Sequence, residues 1–299
     1  MKNAVLITGA TGYIGRNLAR YFHLAGFEVH AVMRASSDSA FFSNQNIPIR
    51  THLYDGTFRS LSSLLDTKNI QTVIHLASIT SYDTTDENID TMLNANLQLG
   101  TYLLEIMRKL GCRRFINTGT YWQHFSTENY NPVCLYAATK QAFESIFEYY
   151  VQAHNFRVIT LKLFDVYGPN DPRKKIFQLL DDAARYSKPL NMTEGQQLLD
   201  LVYIDDVINA YSLAKQMLDN SQNDTEGFHN RYHVSTEQLR PLKEWVELYL
   251  KISQQRVEIN WGALPYRKRQ VMTPYIGKIL PQWKPEVCPE EGLNRLNSV

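Results

Sequence analysis

The sequence predicts a doubly wound α/β fold, in which helices cover both faces of a parallel sheet, with a smaller and partly interleaved C-terminal domain. Three observations predict it. Short apolar runs alternate with longer amphipathic stretches through the first half of the chain. A glycine-rich turn at 9–15 follows the first apolar run. After Pro169 the alternation fades, and the chain becomes more polar and richer in Pro and Trp.

The elements follow from these patterns in order. The first helix is predicted at 15–26, with Leu18, Tyr21, Phe22 and Ala25 on one face and Gly26 as a C-terminal cap. A later helix is predicted at 174–187. The apolar runs predict six strands, at 4–10, 28–34, 49–55, 72–78, 113–120 and 157–168.

The domain boundary is predicted near residue 168. Residues 1–168 form the sheet domain and 169–299 the second domain, with parts of about 199–236 returning to the first. The polar stretch 219–227 is predicted to be a surface loop.

Composition narrows the classes of function. Thirty-one basic residues against thirty acidic ones give a net charge of +1, so we expect neither a nucleic-acid nor a membrane partner. The three cysteines, Cys112, Cys134 and Cys288, have neither the spacing nor the neighbouring His of a metal site, and they suit a reducing compartment. With no long apolar run and no signal-peptide pattern at the N-terminus, we expect a cytoplasmic protein.

The glycine loop between the first strand and the first helix predicts a dinucleotide site. Gly9 suits the tight turn, Gly12 lets main-chain N–H groups reach a pyrophosphate, and Gly15 lets the helix pack on the strand, as in a Rossmann fold. The alternative is a glycine-rich turn without a ligand. Thr11 stands where the common fingerprint has its second glycine. The cofactor contacts expected in this loop are Gly9, Thr11, Gly12, Tyr13, Ile14 and Gly15.

The end of the second strand favours NADP(H) over NAD. Met33 occupies the position where an NAD site has an acidic residue, and Arg34, Ser36 and Ser37 offer donors for a 2′-phosphate. The alternative for Arg34 is a solvated surface charge. Asp55 has two interpretations of nearly equal weight, a contact with the adenine amine or a cap on the next helix.

Tyr136 and Lys140, four residues apart on a predicted helix, share one face, and Thr118 and Thr120 end the fifth strand. A phenol with a pKa of about 10 needs a shift of about three units to act near neutral pH. A cation about 5 Å away contributes on the order of 3 kcal/mol at an effective dielectric constant of about 20. We therefore expect Lys140 to lower the pKa of Tyr136. The alternative for Tyr136 is a packed aromatic side chain.

Together these motifs resemble the extended branch of the short-chain dehydrogenase/reductase superfamily, which contains nucleotide-sugar epimerases, dehydratases and reductases. The resemblance covers nearly the whole chain. It rests on "TGATGYIG" (8–15), "HLAS" (75–78), "NLQLGT" (96–101), "NTGT" (117–120), "YAATK" (136–140), "LFDVYGP" (163–169), "VYIDDV" (202–207), "LPYRKRQVM" (264–272) and "LPQWKPEVCPEEGL" (280–293).

The resemblance implies roles for individual residues. Thr120, Tyr136 and Lys140 would be catalytic, and Lys140 would also hold the nicotinamide ribose. Ala77 and Asn96 would line the cofactor. For the substrate, Thr120, Asp165 and Arg267 are the expected contacts, and Arg267 would grip the nucleotide diphosphate. The family's four-helix contact implies a homodimer.

Three departures narrow the expected reaction. Tyr121 and Trp122 follow Thr120 where the sugar dehydratases have an acidic pair, so water elimination is not expected. Lys162 and Asp165 replace the family's arginine and asparagine. Leu199 replaces its arginine before Asp200, which changes the expected sugar contacts.

Within the branch, the chain is most similar to the 4-ketoreductases of the CDP-abequose and CDP-paratose synthase type. The expected reaction is NADPH-dependent reduction of the 4-keto group of a CDP- or dTDP-linked 6-deoxy or 3,6-dideoxy sugar in surface-polysaccharide (O-antigen) synthesis. The alternatives are an NAD-dependent nucleotide-sugar epimerase, a reductase of free carbonyl compounds and a non-catalytic dinucleotide sensor.

Overall fold

Parallel strands form a seven-stranded central sheet in the computed structural model of the chain, which describes residues 3–66, 69–221 and 226–297. The strands are, in chain order, β1 (Ala4–Thr8), β2 (Glu28–Met33), β3 (Arg50–Leu53), β4 (Ile70–His75), β5 (Arg114–Thr120), β6 (Arg157–Leu163), β7 (Asp165–Tyr167), β8 (Leu190–Asn191), β9 (Leu198–Leu199), β10 (Leu201–Tyr203), β11 (Phe228–Val234), β12 (Arg240–Pro241) and β13 (Ile259–Asn260). The order across the central sheet is β11-β6-β5-β4-β1-β2-β3. Three two-stranded sheets pair β10 with β7, β12 with β9 and β13 with β8.

Helices cover both faces of this sheet. The α-helices of the described ranges are α1 (Tyr13–Leu24), α2 (Ala40–Asn44), α3 (Phe58–Leu65), α4 (Asp86–Leu93), α5 (Leu99–Leu110), α6 (Leu135–His154), α7 (Ile176–Tyr186), α8 (Ile204–Asp219), α9 (Leu242–Ser253) and α10 (Pro289–Leu296). A π-helical turn (Asn94–Gln98) joins α4 to α5, and a 3₁₀ turn (Tyr121–Gln123) follows β5.

Alternate side chains of the central strands enter two different cores. In β1, Val5 and Ile7 pack in the core that includes residues of α1 and α8, whereas Leu6 packs in the core that includes residues of α3, α5 and α6. Because both faces are covered, β1 is buried along its whole length and mostly apolar, without alternating polar residues. The predicted doubly wound parallel fold is confirmed.

The strand predicted over 157–168 is wrong as a single element. The chain leaves the central sheet after Leu163 and forms β7, which pairs with β10. At the break, the ring of Phe164 stacks on Tyr121 with their centroids 4.8 Å apart. Tyr121 also donates a hydrogen bond to Asp165 (3.3 Å). These contacts hold the chain in a new direction and bring Asp165 to the site described below.

The segment after residue 199 contributes to the layers of the central sheet. Strand β11 pairs in parallel with β6 along its whole length, and α8 contacts β5 and β6. The two-domain division and the homodimer stay predictions. The surface loop predicted over 219–227 lies partly outside the described residues. No helix in the described ranges is both long and apolar enough to cross a lipid bilayer.

Candidate active site

The glycine loop between β1 and α1 is shaped by close backbone contacts. Gly9 has a φ of +68°, and a Cβ there would lie 2.8 Å from the amide nitrogen of Ala77. A Cβ on Gly15 would overlap the carbonyl oxygen of Gly9 and lie 2.8 Å from the Cα of Ala10. The loop therefore needs glycine at both positions.

The start of α1 offers main-chain donors to an anion. The Gly12 amide donates to the Gly9 carbonyl (3.0 Å), so it closes the turn itself. None of the described side chains caps the first turn of α1. The N–H groups of Tyr13, Ile14 and Gly15 therefore lack intrahelical partners. This arrangement fits a pyrophosphate.

A groove of about 710 Å³ runs along the carboxyl ends of β1, β2, β3 and β4. Its volume lies within the range of small-molecule sites. Of the predicted cofactor residues, it is lined by Gly9, Thr11, Gly12, Arg34, Asp55 and Ala77.

Arg34 lies at the rim of this groove with its side chain exposed. The Arg34 amide donates to Ser37 Oγ (3.2 Å), and the Ser37 amide donates to the Arg34 carbonyl (2.9 Å), so the turn is fixed by its own hydrogen bonds. Across the described ranges, no carboxylate forms an ion pair with the guanidinium. The residues present fit a 2′-phosphate, and the preference for NADP(H) stays a prediction.

Asp55 does not cap the next helix itself but holds the residue that does. Its Oδ1 accepts hydrogen bonds from the amide and the hydroxyl of Thr57, both at 2.8 Å, and Thr57 in turn caps α3 through the amide of Ser60 (3.2 Å). The bond from the Thr57 amide is the largest of the effects that hold the pKa of Asp55 below its usual value. Because Asp55 also lines the groove, a contact with adenine stays a prediction.

Asn96 is buried, and its amide is engaged by the protein. Its Nδ2 donates to Thr139 Oγ1 (2.9 Å) and to the carbonyl of Ile79 (3.2 Å). Its Oδ1 accepts from Ser78 Oγ (3.0 Å) and the Ile79 amide (2.9 Å). The π-helical turn that carries Asn96 thus ties α6 to the loop after β4. A direct contact between Asn96 and a cofactor stays a prediction.

Thr120 lies beside Tyr136, and Lys140 lies one turn further along α6. The side chains of Tyr136 and Lys140 are 8% and 2% exposed. Thr120 Oγ1 accepts from the amide of Trp122 (3.3 Å) and so fixes the 3₁₀ turn. The predicted catalytic residues therefore meet at the carboxyl end of β5, and their roles stay predictions.

The expected net lowering of the Tyr136 pKa by Lys140 is wrong for the protein alone. Burial raises the pKa of the Tyr136 phenol to about 12, although the hydroxyls of Thr80, Thr120 and Ser78 act to lower it. Burial also lowers the pKa of Lys140 to about 8, against the charge of Glu144, which raises it. Desolvation of both groups dominates. At neutral pH the phenol keeps its proton and the lysine is largely charged.

Thr118 is engaged elsewhere. Its hydroxyl lies 2.6 Å from the hydroxyl of Tyr211 on α8. Thr120 is therefore the β5 threonine whose hydroxyl acts on the Tyr136 phenol.

The predicted substrate residues lie on separate walls. Asp165 is 3.3 Å from Lys175 Nζ, and both line a second cavity of about 300 Å³. The Arg267 guanidinium lies over the ring of Tyr82, 4.3 Å from its centroid. Tyr82 and Trp122 pack edge to face with their ring centroids 6.1 Å apart, and Trp122 and Tyr136 pack in the same way with centroids 6.3 Å apart. An aromatic row thus leads from Arg267 to Tyr136.

Sequence reasoning missed four polar or aromatic residues of the site. Ser78 and Thr80 act on the Tyr136 phenol, Tyr82 contacts Arg267, and Gln123 bonds the main chain of Thr120. The signal was present for all four, because 78–82 follows β4, Gln123 follows β5, and the carboxyl ends of parallel strands meet at one edge.

Known proteins of similar sequence include two CDP-abequose synthases. The one from Salmonella muenchen is 26% identical, and the match covers 99% of this chain and 97% of that protein. The one from Yersinia pseudotuberculosis is 29% identical, with 90% and 91% covered. A UDP-glucose 4-epimerase from Thermotoga maritima, solved with UDP-glucose, has the same fold (TM-score 0.84, 21% identity, 98% and 97% covered).

The sequence model of one enzyme family spans the glycine loop, the groove and helix α6 together. It matches residues 5–227 and carries the description "NAD dependent epimerase/dehydratase family". The match covers most of the 299 residues and agrees with the site geometry. The chain therefore belongs to the NAD dependent epimerase/dehydratase family.

Proposed function

We propose that this chain is an NADPH-dependent reductase of the 4-keto group of a CDP- or dTDP-linked 6-deoxy or 3,6-dideoxy sugar, acting in surface-polysaccharide synthesis. The observation that carries the proposal is the rim of the groove, where Arg34 is exposed beside Ser36 and Ser37 and the carboxyl end of β2, at Met33, supplies no carboxylate. This rim favours a 2′-phosphate, and NADPH is the usual cofactor of net reduction.

The residues at the end of β5 and on α6 suit the chemistry of a reductase. Bound NADPH supplies a hydride to the carbonyl carbon. The Tyr136 phenol, protonated at neutral pH, donates its proton to the carbonyl oxygen, and Thr120 hydrogen-bonds that oxygen. The Lys140 ammonium stabilises the phenolate left behind, which takes a new proton from solvent before the next turnover.

The class of substrate is supported by the residues around the mouth of the site. We assign Arg267 to the diphosphate, because its guanidinium is exposed and lies at the end of the aromatic row that leads to Tyr136. Tyr121 and Trp122 supply no carboxylate for elimination of water. The similarity to CDP-abequose synthases over nearly the whole chain supports a deoxygenated sugar.

The test follows the loss of NADPH absorbance with CDP- and dTDP-linked 4-keto-6-deoxy sugars, each with and without the 3-hydroxyl. We expect turnover with at least one of them. In Tyr136→Phe we expect a rate lower by about a hundredfold or more, because the proton donor is lost while the ring remains packed on Trp122.

Two outcomes would contradict the proposal. A purified chain that retains NAD and consumes no NADPH with any of these sugars would favour the nucleotide-sugar epimerase. A chain that binds NADPH without turnover of any of them would favour the dinucleotide sensor.

A further inference from the structure

A buried carboxylate lies directly behind the proposed catalytic residues. Glu144 is on α6, four residues after Lys140, and its side chain is 0% exposed. Arg231 Nε donates to Glu144 Oε2 (2.8 Å), and Gln123 Nε2 donates to Glu144 Oε1 (2.7 Å). Lys162 Nζ is 3.8 Å from Oε1. A buried carboxylate with this many partners is held in one position.

Gln123 connects this carboxylate to the 3₁₀ turn that carries Thr120. Its side chain is also buried, and its Oε1 accepts a hydrogen bond from the amide of Thr120 (3.0 Å). A Cβ on Gly119 would lie 2.8 Å from this oxygen, so the strand leaves room for it. One side-chain amide thus links the end of β5 to the middle of α6.

The titratable groups that interact with Lys140 lie on two elements. On α6, Glu144 is the carboxylate that opposes the effect of burial on the Lys140 ammonium. On β4, His75 is buried, and its pKa is lowered to about 3, mainly by burial and also by Lys140, so it stays neutral. The ammonium therefore depends on Glu144 for a compensating charge.

The groups that face Glu144 come from β6, β11 and α6. On β6, Lys162 Nζ lies 2.7 Å from His124 Nε2. Burial lowers the pKa of Lys162. On β11, Arg231 and His229 both contact Glu148, which lies one further turn along α6. Arg231 bridges the two carboxylates, because its Nε donates to Glu144 and its Nη2 donates to Glu148 Oε1 (2.6 Å).

We propose that Glu144 is a positioning residue that keeps the Lys140 ammonium charged and, through Gln123, fixes Thr120 relative to Tyr136. Its kinetic consequence rests on the proposed function. The charge of Lys140 does not, because it can be measured in the chain without cofactor or substrate.

The first test is an NMR titration of lysine side chains in isotope-labelled full-length protein, with Lys140 assigned from the Lys140→Met spectrum. In Glu144→Gln, which keeps the shape and an acceptor for Gln123, we expect the titration midpoint of Lys140 to fall by about one pH unit. Glu148→Gln is the matched control, because it also loses a bond to Arg231 but is a turn further from Lys140. An unchanged midpoint in Glu144→Gln, or equal shifts in both variants, would overturn the proposal.

A second variant removes a positive charge near Lys140, whereas Glu144→Gln removes a negative one. Lys162→Met removes a buried cation beside Glu144, so the midpoint of Lys140 should rise. This keeps the test decisive even if Glu144→Gln does not fold, and a midpoint that stays or falls in Lys162→Met would contradict the charge role.

The link through Gln123 is tested by kinetics. Gln123→Met breaks the tie to Thr120 and keeps the charge of Glu144, so kcat should fall about tenfold or more while the KM for NADPH and the Lys140 midpoint stay near the wild-type values. An unchanged kcat would overturn the positioning role. Absence of reductase activity in the wild type would instead contradict the proposed function, and the titration would still decide the charge role.

Discussion

Arg34 is the side chain on which the preference between the two nicotinamide cofactors depends. It is exposed at the rim of the groove, and the turn that carries it is held by hydrogen bonds between its own main chain and Ser37. Its guanidinium is thus available to a ligand. A 2′-phosphate is the part of NADPH that NADH lacks, so the charge at this position should discriminate between them.

Replacement of Arg34 by Asp should weaken NADPH binding by about tenfold to a hundredfold, because a charge-assisted bond is replaced by repulsion. NADH binding should change much less. Fluorescence titration of both nucleotides measures the two dissociation constants. Arg50→Asp makes the same charge change at the start of β3, away from the groove, and should leave both unchanged. Equal losses for NADPH and NADH in Arg34→Asp would contradict the assignment.

At the residue scale, the identity and spacing of the reactive side chains were easier to predict than their burial and hydrogen-bond partners. The motif "YAATK" predicted that Tyr136 and Lys140 share a helix face, because spacing alone determines that. The direction of the Tyr136 pKa was wrong, since burial depends on the residues that the whole fold packs around the phenol. Asp55 shows the same limit, because only the structure reveals that its Oδ1 binds the cap residue Thr57 and not the helix itself.

At the scale of elements, the glycine loop and α1 act as one unit. Helix α1 packs against the loop so closely that a Cβ on Gly15 would overlap the Gly9 carbonyl. The same close approach directs the uncapped first turn of α1 at the expected position of the phosphates.

Substitution of Gly15 by Ala should therefore displace α1, abolish measurable NADPH binding and destabilise the chain by about 1–3 kcal/mol. Gly26→Ala is the matched control at the other end of the same helix, because a Cβ there meets nothing within 4 Å and only its φ of +86° is unfavourable. It should cost about 1 kcal/mol and retain NADPH binding. Thermal unfolding and nucleotide titration measure both effects, and cofactor binding by Gly15→Ala would contradict the role of the loop.

Strands β1 to β6 of the central sheet were predicted from short runs bounded by turn residues. Strand β11 was not, because its sequence "FHNRYHV" carries several polar residues. The break between β6 and β7 was not, because Phe164 continues the apolar pattern and its stacking partner Tyr121 is distant in sequence. The link from Thr120 through Gln123 to Glu144 was likewise invisible, since it joins residues whose contact depends on the packing of α6 against the end of β5.

At the scale of the whole molecule, the topology of the sheet assembles the site. Strands β2, β4 and β5 end at the same edge. Arg34 follows β2 there, residues 78–82 follow β4, and Thr120 ends β5. The chain after residue 199 completes the arrangement with β11, which brings Arg231 to Glu144, and with the later segment that carries Arg267. Arg34 and Arg267, which we propose for the cofactor and for the diphosphate, thus come from opposite ends of the chain.

The central claim is that a hydride passes from NADPH to the sugar and stays there. The most direct test supplies NADPH deuterated at the transferred position together with the 4-keto sugar that the chain consumes, and examines the product by mass spectrometry and NMR. We predict one deuterium on carbon 4 of the sugar for each NADP formed. A product that carries no deuterium at carbon 4, or a sugar that is interconverted while the NADPH remains intact, would contradict a net reductase.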